Sequence, residues 1–91
     1  MMISWNNVKN LGKVMDTLMK TYHFRSDLVF EDEQVKLIID FEYGEFDKIK
    51  NLVALWFPMF LEKNITGFCY EVSNDFPKDI DLCKAIINLK F

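Results

Sequence analysis

Leu52-Val53-Ala54-Leu55-Trp56-Phe57-Pro58-Met59-Phe60-Leu61 is a run of ten apolar residues with a proline inside it. A bilayer-spanning helix needs roughly 20 such residues, so a run of this length is expected at the centre of a soluble core. Just upstream, Asp47 offers an N-cap, and Phe46, Ile49, Leu52, Val53, Trp56, Phe57 and Phe60 recur at steps of three and four, the period of one helical face. The spacing predicts a helix. Leu55, Met59 and Leu61 widen its apolar side, so the second half is expected to be covered nearly all round. Pro58 has no N–H to give the carbonyl of Ala54, so the helix should kink there or end and restart, at about 3 kcal/mol if nothing relieves it. Trp56, Phe57 and Phe60 read either as core or as an aromatic knob left partly exposed for a partner.

Working outward, Val35 to Tyr43 alternates, with Val35, Leu37, Ile39, Phe41 and Tyr43 on one face and Lys36, Ile38, Asp40 and Glu42 on the other. Leu28 to Phe30 is short and β-prone, and Glu31 to Gln34 is polar enough to turn, so two antiparallel strands are expected with one face toward water. Before them, Ser4 can cap a helix that places Trp5, Val8, Leu11, Gly12, Met15, Leu18, Met19 and Tyr22 on one side. Gly12 on that side suggests a close crossing. After the apolar run, Asn64 to Gly67 reads as a turn and Phe68 to Ser73 as a third strand, with Phe68, Tyr70 and Val72 on one face. The final segment has Ile80, Cys83, Ile86 and Ile87 at helical spacing, with Asp79 and Asp81 early and Lys84 and Lys90 late, which predicts a helix. Ile87 to Phe91 also alternates, so a closing strand is the alternative. The expected fold is a two-layer α+β sandwich of order α-β-β-α-β-α, a small antiparallel sheet packed on helices, over residues 1–91 as one domain.

Composition narrows the function classes. Ninety-one residues with 51% hydrophobic and 15% aromatic content form one ordered core and leave more large apolar groups than a domain this small easily hides, so self-association is expected. Cys69 and Cys83 are far apart without a CxxC or Cys/His cluster, and both read as reduced core thiols. Met1 to Lys20 lacks the layout of a signal peptide, which points to the cytoplasm. Lysine outnumbers arginine ten to one, the bias of AT-rich coding sequences such as those of phages, large DNA viruses and low-GC bacteria.

Charge is distributed unevenly. Residues 1–25 net +3, residues 26–47 carry eight carboxylates against Lys36 for a net of −7, and the remainder nets +1. Glu31, Asp32 and Glu33 fall at the tip of the expected hairpin, Asp40 and Glu42 share a strand face, and Glu45 and Asp47 follow Gly44. Such a surface repels nucleic acid and attracts basic protein surfaces, unless it is simply solvated edge and turn chemistry that discourages aggregation. His23 has no matching nucleophile, the three glycines are scattered, and Lys9, Lys13 and Lys20 lack the arginines of a nucleic-acid face, so no catalytic residue, metal ligand or cofactor is assigned.

Three readings follow. The leading one is a small non-catalytic interaction module, a phage-type inhibitor or adaptor, in which Glu31, Asp32, Glu33, Asp40, Glu42, Glu45 and Asp47 meet a basic partner protein and Tyr43 and Phe46 anchor it. The second is a dimeric binding domain for a metabolite or nucleotide, its pocket lined by Trp56, Phe60 and Tyr70. Third, Gln34-Val35-Lys36 after Asp27 is similar to the Asp and (Glu/Gln)-x-Lys arrangement of restriction-type nucleases, which would imply Mg²⁺ on Asp40 and Glu42 with Lys36 nearby. The short spacing, the missing Pro-Asp pair and the surrounding acid stand against it.

Overall fold

A computed structural model describes residues 5–61, 63–72 and 82–91. It shows a small α+β fold in which helix α1 (Trp5–Lys20) precedes strands β1 (Arg25–Glu31) and β2 (Gln34–Glu42). A single 3₁₀ turn, Tyr43–Glu45, leads into a second helical rod, α2, made of an α segment (Phe46–Asn51), a π turn (Leu52–Trp56) and a second α segment (Phe57–Leu61). Strands β3 (Ile65–Val72) and β4 (Leu82–Leu89) complete a four-stranded antiparallel sheet of order β1-β2-β4-β3.

The two-layer arrangement is therefore the expected one, but its final segment is the alternative, a strand, and not a helix. Residues 82–89 insert between β2 and β3, pairing with Glu42 to Val35 on one side and Val72 to Ile65 on the other. Lys90 N–H donates to the Asn64 carbonyl at 2.8 Å, and the Asn64 amide donates back to the Lys90 carbonyl at 3.0 Å, tying the far end of β4 to the start of β3. Ser73, the expected end of the third strand, and Asp79, Ile80 and Asp81, at the expected start of the final helix, lie outside the described residues.

Burial explains the sheet. On β2, Val35, Leu37, Ile39 and Phe41 are buried, and their register partners on β4, Leu89, Ile87, Ala85 and Cys83, are buried beside them. Each fully buried aliphatic side chain of this size contributes about 1.5–3 kcal/mol relative to exposure, so these eight residues dominate the core. Helix α1 adds Leu11, Val14 and Leu18, with Met15 partly buried. Trp5, Val8 and Met19, on one flank of the helix, are exposed, and a side chain at Gly12 would meet nothing within 4 Å, so no close crossing explains that glycine. Cys69, expected in the core, is exposed, whereas Cys83 is buried.

The π turn answers Pro58. Phe57 N–H donates to the Leu52 carbonyl, five residues back, so the rod widens immediately before the proline instead of breaking. The turn also sets which side faces inward. At about 100° per residue, Ile49 and Leu61 would lie about 120° apart around a straight α-helix, and absorbing one residue in the wide turn reduces that to about 20°. Ile49, Leu52, Val53, Phe57 and Leu61 consequently share the core. Leu55 and Met59, expected to be covered, are 70% and 76% exposed on the outer side of the helical layer.

Two residues take the left-handed backbone region. His23, φ 60°, reverses the chain after α1, and Phe24 N–H then donates to the Leu18 carbonyl at 2.9 Å as its ring enters the core. Asp32, φ 36°, begins the two-residue connection between β1 and β2, where glycine is the usual occupant.

Two stability predictions follow from this backbone. Deleting exposed Ala54 closes the π turn and returns Pro58 to a helix interior, so urea denaturation should show a loss of about 3 kcal/mol that adding Pro58→Ala largely restores. Asp32→Gly removes the left-handed strain and should raise stability by about 1 kcal/mol in the same assay.

Candidate interaction surface

Helices α1 and α2 lie over β1 and β2, and the inner face of β3 is left partly open. Alternation along β3 puts Phe68, Tyr70 and Val72 on that face, opposite Ile87, Ala85 and Cys83 of β4. The 3₁₀ turn after β2 brings Tyr43 and Phe46 to the same region. Phe46 is the hub: its ring lies 5.6 Å from Phe41, 5.9 Å from Tyr43 and 4.9 Å from Tyr70. Tyr70 continues to Phe68 at 5.8 Å, edge to face. The Lys50 ammonium stands 5.6 Å over the Phe46 ring.

The series grades from core to surface. Phe41 is buried, Phe46 and Tyr70 are partly buried, and Tyr43 and Phe68 are 56% and 54% exposed at the two ends, with Val72 exposed on the other side of Tyr70 along β3. Tilted and edge-to-face ring pairs contribute about 0.5–1.5 kcal/mol each beyond their area, so the ledge is held rigid by its inner members while its outer rings stay available. A depression of about 450 Å³ lies at its foot, lined by Tyr43, Gly44, Phe46, Asp47 and Lys50. Burial pushes the Tyr70 hydroxyl pKa above its ordinary value of 10.0, because the phenolate would lose hydration there.

The nine residues named for partner binding separate into three places. Glu31, Asp32 and Glu33 border a second depression at the hairpin tip, where Glu31 already pairs with Lys36 at 3.3 Å. Asp40 lies on the outer sheet face and accepts from Lys84 at 3.0 Å, so its charge is largely neutralised. Glu42 ends β2 on that same outer face, whereas Tyr43, Glu45, Phe46 and Asp47 fall at the ledge, where Glu45 pairs loosely with Lys48 at 3.8 Å. Among the described residues, Asp32, Glu33, Glu42 and Asp47 carry no ion pair.

Trp56 and Tyr70, two of the three residues named for a ligand pocket, join different aromatic groups. Trp56 sits against Tyr22 at 6.0 Å and Phe57 at 5.3 Å beside the end of α1, whereas Tyr70 belongs to the ledge. The side chain of Phe60 lies outside the described residues. Asp27 faces Ile38 across the hairpin, and among the described residues no three His, Cys, Asp or Glu side chains gather as a metal site. No helix among the described residues is long and apolar enough to cross a membrane.

Phe68 and Val72 are the surface residues that sequence reasoning did not assign. Their alternation was visible, but their exposure depends on which strands the helices cover. No family model, curated protein or solved structure matches this chain.

The raised Tyr70 pKa has a signed consequence. The unfolded tyrosine deprotonates near pH 10 while the folded one still holds its proton, so unfolding is favoured increasingly above that pH. Tyr70→Phe should therefore lose less stability than wild type as pH rises past 10 in chemical denaturation series.

Proposed function

We propose that this chain is a non-catalytic interaction module, an inhibitor or adaptor, that takes a basic partner protein on the aromatic ledge. The observation that carries the reading is the ledge itself: Tyr43 and Phe68 exposed at the ends of a rigid run of rings, beside Asp47, which no cation of the described residues neutralises. Aromatic side chains lose little conformational entropy on binding and dominate contact centres, while an unpaired carboxylate rim steers a cationic partner and sets its orientation.

This centres the partner surface on Tyr43, Glu45, Phe46 and Asp47, joined by Phe68, while Glu42 falls on the opposite sheet face. Asp40 drops out because Lys84 already holds it. The hairpin-tip residues Glu31, Asp32 and Glu33 act at longer range, adding field more than contact. A partner lysine or arginine can lie over the Tyr43 ring with its charge toward Asp47, a cation–π arrangement that Lys50 already makes on Phe46.

Capture from the native host, measured at low and high salt, tests the reading. Tyr43→Ser and Phe68→Ser should each weaken the captured complex at least tenfold. Glu45→Lys with Asp47→Lys should abolish its salt dependence along with most of the binding. Capture that survives both changes, or a thermal shift with a metabolite in place of any protein partner, would replace the proposal with the ligand-binding alternative.

A further inference from the structure

We propose that the chain forms a symmetric dimer through the outer face of its sheet, the face turned away from the ledge, so that each copy covers the other. The strand register places Arg25, Asp40, Lys84 and Glu71 in one row across β1, β2, β4 and β3. Their charges alternate in sign. The inner two form an ion pair at 3.0 Å, while Arg25 and Glu71, at opposite ends, have no ion pair among the described residues. The next row is Asp27, Ile38, Ile86 and Cys69, with both isoleucines half-buried, and the third is Val29, Lys36, Asn88 and Gly67.

Alternation of this kind is self-complementary under one rotation. A twofold axis parallel to the strands, midway between β2 and β4, lays β1 over β3 of the second copy and β2 over its β4. Arg25 then meets Glu71 of the second copy and Asp40 meets its Lys84, so every charge in the row faces its opposite. Ile38 meets Ile86 of the second copy close to the axis, where the roughly 30° rotation between packed sheets displaces residues least. An in-plane axis across the strands through the isoleucine row would instead set Asp27 against Asp27, which repels. The symmetry is that of an isologous dimer.

The charge pattern and the area fit a second copy. The row of Arg25, Asp40, Lys84 and Glu71 is itself neutral, and over the whole face Arg25, Lys36 and Lys84 stand against Asp27, Glu31, Asp40, Glu42 and Glu71 for a net of −2, with Glu31 already held by Lys36 and Glu42 at the far end of β2. Four strands about 4.8 Å apart, each rising about 3.3 Å per residue, give a face of roughly 500 Å². Two copies then bury about 1,000 Å² in projection, the lower bound for a specific interface. The dimer uses neither Tyr43 nor Phe68, so it stands or falls separately from the partner reading.

Sedimentation equilibrium over a micromolar to submillimolar series tests it. The wild-type chain should approach twice its 10.9 kDa mass as concentration rises. Lys84→Glu sets acid against acid twice in the dimer and should weaken association at least tenfold. Exchanging the two charges, Asp40→Lys with Lys84→Asp, keeps opposite signs facing and should restore it. Ile38→Asp, on a half-exposed site outside the core, should give monomer with an unchanged circular dichroism spectrum, whereas Phe68→Ser should leave the dimer intact. A one-chain mass at every concentration overturns the proposal. So does a dimer that survives both Lys84→Glu and Ile38→Asp, or one that Phe68→Ser dissociates.

Discussion

The structure depends on one contact plane, the inner faces of β2 and β4 side by side. Val35, Leu37, Ile39 and Phe41 meet Leu89, Ile87, Ala85 and Cys83 in register, and all eight are buried. Both helices pack on this plane, and β3 has no place in the sheet unless β4 supplies its neighbour. Apolar side chains on β4 could have served a helix as well as a strand; what selects the strand is that two other strands need the same backbone to satisfy theirs.

This is also why the sequence was only partly legible. The alternation of β2 is unambiguous because its outer positions, Lys36, Asp40 and Glu42, are charged. On β4 the outer position is Ile86, which together with Cys83 and Ile87 imitates a helical stripe, and no local signal separates the two patterns. The central helix was legible as a helix but its facing was not. A π turn shifts the inward side by one residue, so Leu61 entered the core and Leu55 and Met59 stayed outside it. On α1, Val14 was missed because Trp5, Val8 and Met19, which lie on an exposed flank, drew the apparent apolar stripe away from the side that is buried.

The candidate surface divides in the same way. Tyr43, Phe46 and Asp47 are neighbours along the chain, and their grouping could be read directly. Phe68 joins them only through the ring of Tyr70, across a strand twenty residues and more downstream. Asp40 looked like its neighbour Glu42 in sequence, yet Lys84, brought alongside by β4, changes its electrostatic meaning. Acidic composition therefore overstated the free acid on this molecule, and the strand pairing shows where it is spent.

Placing the last strand second from the edge has a temporal side. Every β2–β4 pair joins positions 40 to 54 apart in the chain, from Glu42 with Leu82 to Val35 with Leu89. While the polypeptide is being synthesised, the β1–β2 hairpin and both helices can form and pack together, but the edge of β2 that β4 fills stays open until residue 89 has emerged. Pairings of such long range form slowly, so a nascent chain of this protein keeps that edge within reach of chaperones and of other nascent chains until β4 arrives.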